Sequence, residues 1–334
     1  MKNSLDFNVY FNEFAYLDFI NCFISSYMYL EGKKDEQEHD LYFRLFHTMC
    51  GHSSLRCRFD GEPTQMHRLI GDHETDGYSC GTDHTVDFLF GFTGYEYHKC
   101  TDTASFQDEI FASIDAGKPV IAKVESGNGR FRVITGYDDH ALINPDYGNI
   151  QDKPRFTLYD ELEVLYIIGN KIVPRYTLKD GLERIRQVME HNISEKLWDE
   201  CIGKMGGWIM YPSDDGLDKT DAEVRKVRMQ RLKEVVCYAW NCHLFGETFR
   251  NCYYEELRNP LFTELWGKIS DLCYSIDAFG HAIMYLNNSI DWSSIHFAAV
   301  PGISAMICMT IEKVRQIDIE LLDTIKQAIK IAEK

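Results

Sequence analysis

The strand-like segments of this chain lie in its first half, which restricts the kind of fold that it can adopt. Short runs rich in β-branched residues and bounded by glycine or proline predict strands. These runs are PVIAKV (119–124), FRVIT (131–135), ALIN (141–144) and LEVLYII (162–168). Near residues 171–180 the pattern changes to helical spacing. We therefore expect an α+β domain over residues 1–175, followed by an all-α helical domain over 176–334.

The second half is patterned for long helices. Thr220 and Glu223 have the spacing of a capping box, ahead of a helical pattern that ends near Leu257. Apolar residues from 265 to 286 alternate steps of four and three, which predicts one apolar stripe on a helix. A last helix is expected over residues 303–331. The 334 residues, 45% of them hydrophobic, are enough for two cores.

The net charge restricts the partners of the chain. A formal charge of −17 argues against nucleic acid, because a protein that binds phosphates needs a basic surface. An acidic surface attracts cations, which favours a small cationic amine as substrate, and it would repel an acidic partner protein. No run of eighteen uncharged apolar residues is present, so we expect no membrane span. Eleven cysteines without a recognisable export signal indicate reduced thiols and a cytoplasmic location.

The segment GRFRVITGYDDHALINPDYG (129–148) predicts a β-hairpin closed by a tight polar turn. Arg130 and Arg132 are two residues apart, so their side chains are expected on the same face of the first strand. Charged side chains are seldom buried without a partner. This face is therefore either solvated or part of a site.

Cys22 lies in a segment with helical spacing, LDFINCFISSYMYLEG (17–32). The apolar residues of the segment predict a buried stripe, which places Cys22 on the opposite side with Ser25 and Ser26. Asn21 is a good N-cap, so Cys22 is expected as the first helical residue. There the helix dipole and the unpaired amides favour a thiolate and can receive an oxyanion. Both a nucleophile and a small side chain without chemistry fit this position.

Two other segments give weaker signals. Seven cysteines and histidines between Cys50 and His84 lack the paired spacing of metal ligands, so we expect a loop-rich insert and no metal. The glycines of ESGNGR (125–130) lack the sequence order of phosphate-binding loops. We therefore expect no cofactor.

The order and wording of several segments resemble the papain-like cysteine peptidase fold, in particular peptidase-like proteins similar to butirosin biosynthesis protein H. The matching segments are Cys22, AGKPVIAKV (116–124), RFRVITGYDD (130–139), LINPDYG (142–148) and RFTLYDELE (155–163). In the last of these the family also has a strand and a short helix. The resemblance covers about residues 10–170 and implies that Cys22 is a nucleophile at the start of the first helix. A C-terminal helical region in similar proteins is consistent with residues 175–334.

The chain departs from the family at the positions that assist the cysteine. Arg130 stands where the family places its general-base histidine, and an arginine cannot accept the cysteine proton, although it can stabilise a thiolate or bind a carboxylate. His140, the nearest histidine, is expected in the hairpin turn and is the alternative base. Asn144 stands where relatives carry an acid before proline. Asparagine can orient a histidine in papain-like sites, and a strand-ending Asn-Pro turn is the structural alternative.

Three functions follow from the resemblance. The first is a cysteine-dependent acyltransferase of natural-product biosynthesis, in which Cys22 takes an acyl group from a carrier-protein thioester and a small amine attacks to form an amide. A thioester is already activated, so this exchange needs less help from a base than peptide cleavage. The second is a catalytically degenerate binding or scaffold protein in which Arg130 holds an anionic group. The third is a thiol peptidase or hydrolase, which the missing histidine disfavours.

Overall fold

The computed structural model describes residues 3–9, 19–54, 83–124, 131–138, 141–145, 155–196, 198–199, 242–251, 255–288 and 301–333. These residues form two compact units. The first unit contains residues 3–46 and 83–177, and the second contains 47–54 and 178–333. The contacts thus divide the chain between Thr177 and Leu178, two residues beyond the expected boundary. They also assign residues 47–54 to the second unit, which the sequence pattern did not indicate.

The first unit combines helices with two small antiparallel sheets, and the expected α+β class is confirmed at this level. Its helices are α1 (Phe19–Leu30), α2 (Glu36–Met49, whose last turn belongs to the second unit), α3 (Asp83–Thr93) and α4 (Phe106–Asp115). Its strands are β1 (Asn3–Ser4), β2 (Tyr95–Cys100), β3 (Val120–Val124), β4 (Phe131–Ile134), β5 (Gly136–Tyr137), β6 (Leu142–Asn144), β7 (Arg155–Thr157) and β8 (Leu162–Lys171). The four predicted strands are confirmed as β3, β4, β6 and β8.

Buried side chains of the first unit lie on both faces of the sheet with strand order β2-β8-β3-β4. Side chains alternate between the two faces of a strand. Leu165 and Ile167 of β8 belong to the core cluster that includes α4, whereas Tyr166 between them packs against Phe19 of α1. On β4, likewise, Ile134 joins that cluster and Phe131 packs against Phe19. The sheet therefore lies between α1 on one face and α4 on the other.

The predicted hairpin is confirmed, but its first strand is divided between the two sheets. β4 pairs with β3, and β5 pairs with β6 in the second sheet, whose order is β1-β5-β6-β7. Thr135, between β4 and β5, donates its backbone N–H to the carbonyl of Ile143 and accepts from the N–H of Leu5. The turn closes where Asp138 donates to the Ala141 carbonyl at 2.9 Å. One continuous run of sequence thus joins both sheets.

The last segment of the resemblance also has the expected local structure. β7 pairs with β6 and is followed by a 3₁₀ turn, Tyr159–Glu161, before β8 begins. Ahead of β3, the AGKPVI segment ends α4 through Gly117, which has a φ of +79° and donates to the carbonyl of Ile114. This left-handed conformation is the one in which helices commonly end at glycine.

The second unit is helical in the part that the structure describes. Its longer helices are α5 (Leu178–Ser194), α6 (Cys242–Asn251), α7 (Thr263–Asn288) and α8 (Pro301–Ala332). The predicted last helix is confirmed as α8. Of the pattern expected to continue to Leu257, the structure describes α6 as far as Asn251 and a 3₁₀ turn over Glu255–Arg258, and the residues between them lie outside the described part. The predicted capping box of Thr220 and Glu223 lies outside the described residues.

The predicted apolar stripe lies on α7, but the buried face of this helix is rotated by about one residue from the face that the sequence predicts. Trp266, Ile269, Cys273 and Ile276 are buried, whereas Leu265 and Leu272 are only half-buried. The reason is the indole of Trp266, which stacks on Phe262 and contacts Phe249, with ring centroids 4.7 Å apart in each pair. The largest side chain therefore sets the rotation of the helix. Across the described ranges, no helix has the length and apolar character needed to cross a membrane.

Candidate functional site

Cys22 is the fourth residue of α1 as described, so the expected N-cap is wrong. α1 is already helical at Phe19, and Asn21 is therefore inside the helix. The physical reason is that Phe19 and Ile20 are buried apolar residues, which extend the helix in the N-terminal direction beyond the polar Asn21. Cys22 lies in the first turn of the described part of α1, and residues 10–18 before it lie outside the described residues.

The expected exposed face of α1 is also wrong. Cys22, Ser25 and Ser26 are all 0% exposed, so the polar side of the helix is as buried as its apolar side. α1 packs on β3 and β4, and Phe23 contacts Phe46 and Phe90 from α2 and α3. The N-terminal two turns of α1 are therefore enclosed on all sides, and Tyr27, Tyr29 and Leu30 near its C-terminal end are half-buried. Small side chains such as cysteine and serine permit this close approach.

The first turn of α1 packs against the start of β4. The Phe19 ring meets the Phe131 ring with centroids 5.4 Å apart and the Tyr166 ring at 5.1 Å. Arg130 directly precedes Phe131 in the sequence, but Arg130 itself and His140 lie outside the described residues. Arg132 is half-buried, and its Nη1 donates to the carbonyl of Phe131 at 2.9 Å.

Asn144 ends β6 and is held by a partner that the sequence analysis did not consider. Its side chain is 3% exposed, and Nδ2 donates to Oγ1 of Thr157 at 2.6 Å. Thr157 is 4% exposed and lies on β7, diagonally across the strand pair from Asn144. The Oδ1 atom of Asn144 is buried and accepts no hydrogen bond from the residues that the structure describes. A buried acceptor without a donor is costly, so such atoms are uncommon in folded proteins.

The structure therefore places the two described candidates, Cys22 and Asn144, in the same unit but in different surroundings. Cys22 lies on a helix packed against β3 and β4, whereas the Asn144 side chain hydrogen-bonds within the other sheet. β4 and β6 contact each other, and both belong to the run of chain that joins the sheets. Thr157 could have been found from sequence, because pairing RFT antiparallel to LIN puts residue 157 opposite residue 142, on the same face of the sheet as residue 144 and diagonal to it.

The described part of the possible metal cluster does not assemble. Cys50 and His52 are buried in the second unit, and His84 is exposed on α3. Cys57, His67, His73 and Cys80 lie outside the described residues. Among the residues with described positions, no three histidine, cysteine or acidic side chains are grouped to hold a metal ion. The described cysteines Cys22, Cys50, Cys100, Cys273 and Cys308 are thiols rather than disulfides.

The first unit also has an open cleft of about 630 Å³ along β2. Its walls carry both signs of charge and two tyrosine rings, and neither of the described candidates, Cys22 and Asn144, lines it. Arg175, one of its cations, is paired with Asp87 at 2.7 Å. Because the lining residues carry both signs of charge, the cleft favours neither cationic nor anionic ligands.

Comparison with known proteins leaves the function to be argued from the molecule itself. No protein-family model matches the chain, and no curated protein matches it.

Proposed function

We propose that this protein is a cysteine-dependent acyltransferase that forms an amide from a carrier-protein-bound acyl thioester and a small amine. Cys22 is the nucleophile, and Arg130 and Asn144 support the reaction. The observation that carries the proposal is the position of Cys22, the fourth residue of the described part of α1, where β4 packs against the helix. A thiol near the N-terminal end of a helix is close to the positive end of the helix dipole, which favours a thiolate and an oxyanion.

The reaction has two exchanges and no redox change. The Cys22 thiolate attacks the thioester carbonyl carbon, a new C–S bond forms, and the carrier thiolate leaves and takes up the proton that Cys22 lost. The amine nitrogen then attacks the enzyme thioester, the C–N bond forms as the C–S bond breaks, and the amine proton returns to Cys22. The guanidinium of Arg130 accepts no proton in either step. Its role is to offset the negative charge of the thiolate and of the tetrahedral intermediate.

The burial of Cys22 favours a second candidate function. A side chain that is 0% exposed offers no direct route to an acyl carrier. A papain-like fold that had lost catalysis would keep a buried cysteine in this way, with Arg130 holding an anionic group. This candidate predicts binding of carboxylates or other anions without any covalent intermediate.

Labelling with an acyl-thioester probe separates the two functions. The protein is incubated with an acyl-pantetheine thioester, and the adduct is located by peptide mass spectrometry. We expect acylation at Cys22, loss of this label in Cys22→Ala, and faster discharge by a polyamine than by water. Discharge by the cationic amine should slow as salt increases, because ions screen its attraction to the acidic protein.

A matched control distinguishes activation from accidental reaction. Cys273 of α7 is also a thiol with 0% exposure, so Cys273→Ala tests a thiol of equal burial. We expect this variant to be labelled at Cys22 as the parent protein is. Arg130→His should introduce a general base and increase hydrolysis of the enzyme thioester. Equal labelling of Cys22 and Cys273, or none at either, would favour the binding protein.

A further inference from the structure

β2 is the edge strand of its sheet, and an open cleft runs along that edge. Among the described strands, β2 has one neighbour in the sheet, β8. Residues 95–99, five in succession, line the cleft of about 630 Å³. Successive side chains of a strand point to opposite faces of the sheet, so a cleft lined by all five follows the edge of the strand. The cleft therefore leaves space for another strand beside β2, and that strand would also cover the exposed Ile172, which lines it.

The side chains of this edge include an acid and a base that reach solvent. Glu96 and His98 are exposed, and they point to the same face of the sheet because they are two residues apart. His98 contacts Glu109 of α4 through Nε2, at 3.2 Å, and Nδ1 takes no part in that contact. On the opposite face, Tyr97 is half-buried and stacks on Phe90, with ring centroids 4.4 Å apart. The edge thus combines an acid, a base and an aromatic ring.

Geometry restricts how β2 can pair with a second copy of itself. A sheet that continues across a two-fold axis keeps the same face up in both copies, so paired residues lie on the same face and their numbers have an even sum. Two such registers pair five residues of β2, one centred on Tyr97 and one centred on His98. The register centred on His98 places two imidazoles opposite each other. The register centred on Tyr97 places Glu96 opposite His98 of the second copy, twice by symmetry.

We propose that the protein forms a homodimer through β2, which pairs antiparallel with β2 of a second copy in the register centred on Tyr97. An acid and a base directly opposite each other stabilise a strand pair, and two tyrosine rings at the centre add an aromatic pair. The paired segment is short, so the interface is small and the dimer is weak and reversible. The net charge of −17 on each copy opposes association, and salt screens this repulsion. The inference does not depend on the chemistry proposed for Cys22.

Sedimentation velocity of the full chain tests the dimer and its charges. At about 0.15 M salt we expect a monomer–dimer equilibrium with a dissociation constant on the order of 10–100 µM. Glu96→Lys places a cation opposite His98 and should raise this constant about tenfold. Combining Glu96→Lys with His98→Glu reverses the pair and should restore the parent value within about threefold. Glu264→Lys is the matched control, because it changes the net charge equally at an exposed position of α7.

Disulfide trapping tests the register at the same two exposed positions. Residues directly opposite in an antiparallel pair have Cα atoms about 4.5–5.5 Å apart, within the range that a disulfide spans. In the proposed register, residue 96 lies opposite residue 98 of the second copy, and neither lies opposite itself. We therefore expect a disulfide-linked dimer when Glu96→Cys and His98→Cys chains are mixed and oxidised. Peptide mass spectrometry identifies the link between residues 96 and 98, which neither variant should form alone.

Other outcomes of these experiments contradict the proposal. A parent chain that remains monomeric at about 0.5 mM would overturn it. Equal effects of Glu96→Lys and Glu264→Lys would show a response to net charge alone and would place any interface elsewhere. A disulfide between introduced cysteines in the His98→Cys chain alone would place the two-fold axis at His98 and refute the register. Because Glu96 and His98 are exposed, we expect their variants to fold, and far-UV circular dichroism checks this for each.

Discussion

The buried imidazole of His39 gives a prediction whose size follows from the structure. His39 lies on α2 with 0% of its surface exposed, and burial lowers its pKa from the ordinary 6.5 to about 4. Between these two values the unfolded chain binds a proton that the folded protein does not. Stability therefore falls as the pH drops from 6.5 towards 4, and no further contribution is lost below that. From pH 7.5 to 5.0 this linkage lowers the free energy of unfolding by roughly 2 kcal/mol.

Replacing the imidazole by an apolar side chain should remove this loss. Between pH 7.5 and 5.0, we expect the free energy of unfolding of His39→Leu to fall by about 2 kcal/mol less than that of the parent. Urea unfolding followed by far-UV circular dichroism measures both values. The packing cost of the substitution is the same at both pH values and cancels in the comparison. His84→Gln is the control, because His84 is exposed on α3. The reasoning is refuted if His39→Leu and the parent lose equal stability on acidification.

Three further substitutions test the packing of the two units by urea unfolding. Gly136→Ala would place a Cβ 2.7 Å from the carbonyl oxygen of Asn3, so β1 must separate and we expect a loss of about 1–3 kcal/mol. Gly267→Ala is its contrast, because that Cβ meets nothing within 4 Å on α7, and we expect a gain of up to about 1 kcal/mol. Trp198→Phe removes the 2.6 Å bond from Nε1 to the buried Asp318 carboxylate and should cost about 2 kcal/mol. An unchanged midpoint in Gly136→Ala or Trp198→Phe, or a lower one in Gly267→Ala, would contradict the corresponding packing argument.

The strands that sequence predicts correctly are those buried on at least one face. β3 reads VIAKV and β8 contains LEVLYII, and both pair with strands on each side, so their apolar residues are continuous enough to recognise. β2 was missed because it forms the edge of the sheet and reads YEYHKC. Only Tyr95 of that strand is buried, so its sequence carries little of the hydrophobic pattern. Edge strands of this kind are specified by their neighbour more than by their own residues.

The surroundings of Cys22 could not be predicted from its own segment. Helical spacing separates apolar from polar residues, but it does not state whether the polar side meets water. Ser25 and Ser26 follow the polar side of α1, yet α1 is packed against strands and against α2 and α3. The expectation of an N-cap at Asn21 failed for a related reason, since burial of Phe19 extends the helix. The local sequence indicates which residues can form a site, and distant parts of the chain decide their exposure.

Because Cys22 is buried, its rate of reaction relative to another buried thiol can distinguish an enzyme from a binding protein. A thiol with no exposed surface reacts at its intrinsic rate multiplied by the fraction of time that it is uncovered. Cys273 has the same 0% exposure, so its rate of alkylation by iodoacetamide measures how often an ordinary buried thiol is uncovered. For both thiols, the alkylation rate is divided by the amide hydrogen-exchange rate of the helix that carries the cysteine. A tenfold excess for Cys22 would correspond to about 1.4 kcal/mol of easier access or greater thiolate reactivity. The pH profile separates the two, because thiolate formation depends on pH in a way that opening alone does not. An acyltransferase requires one of these advantages, whereas a binding protein requires neither.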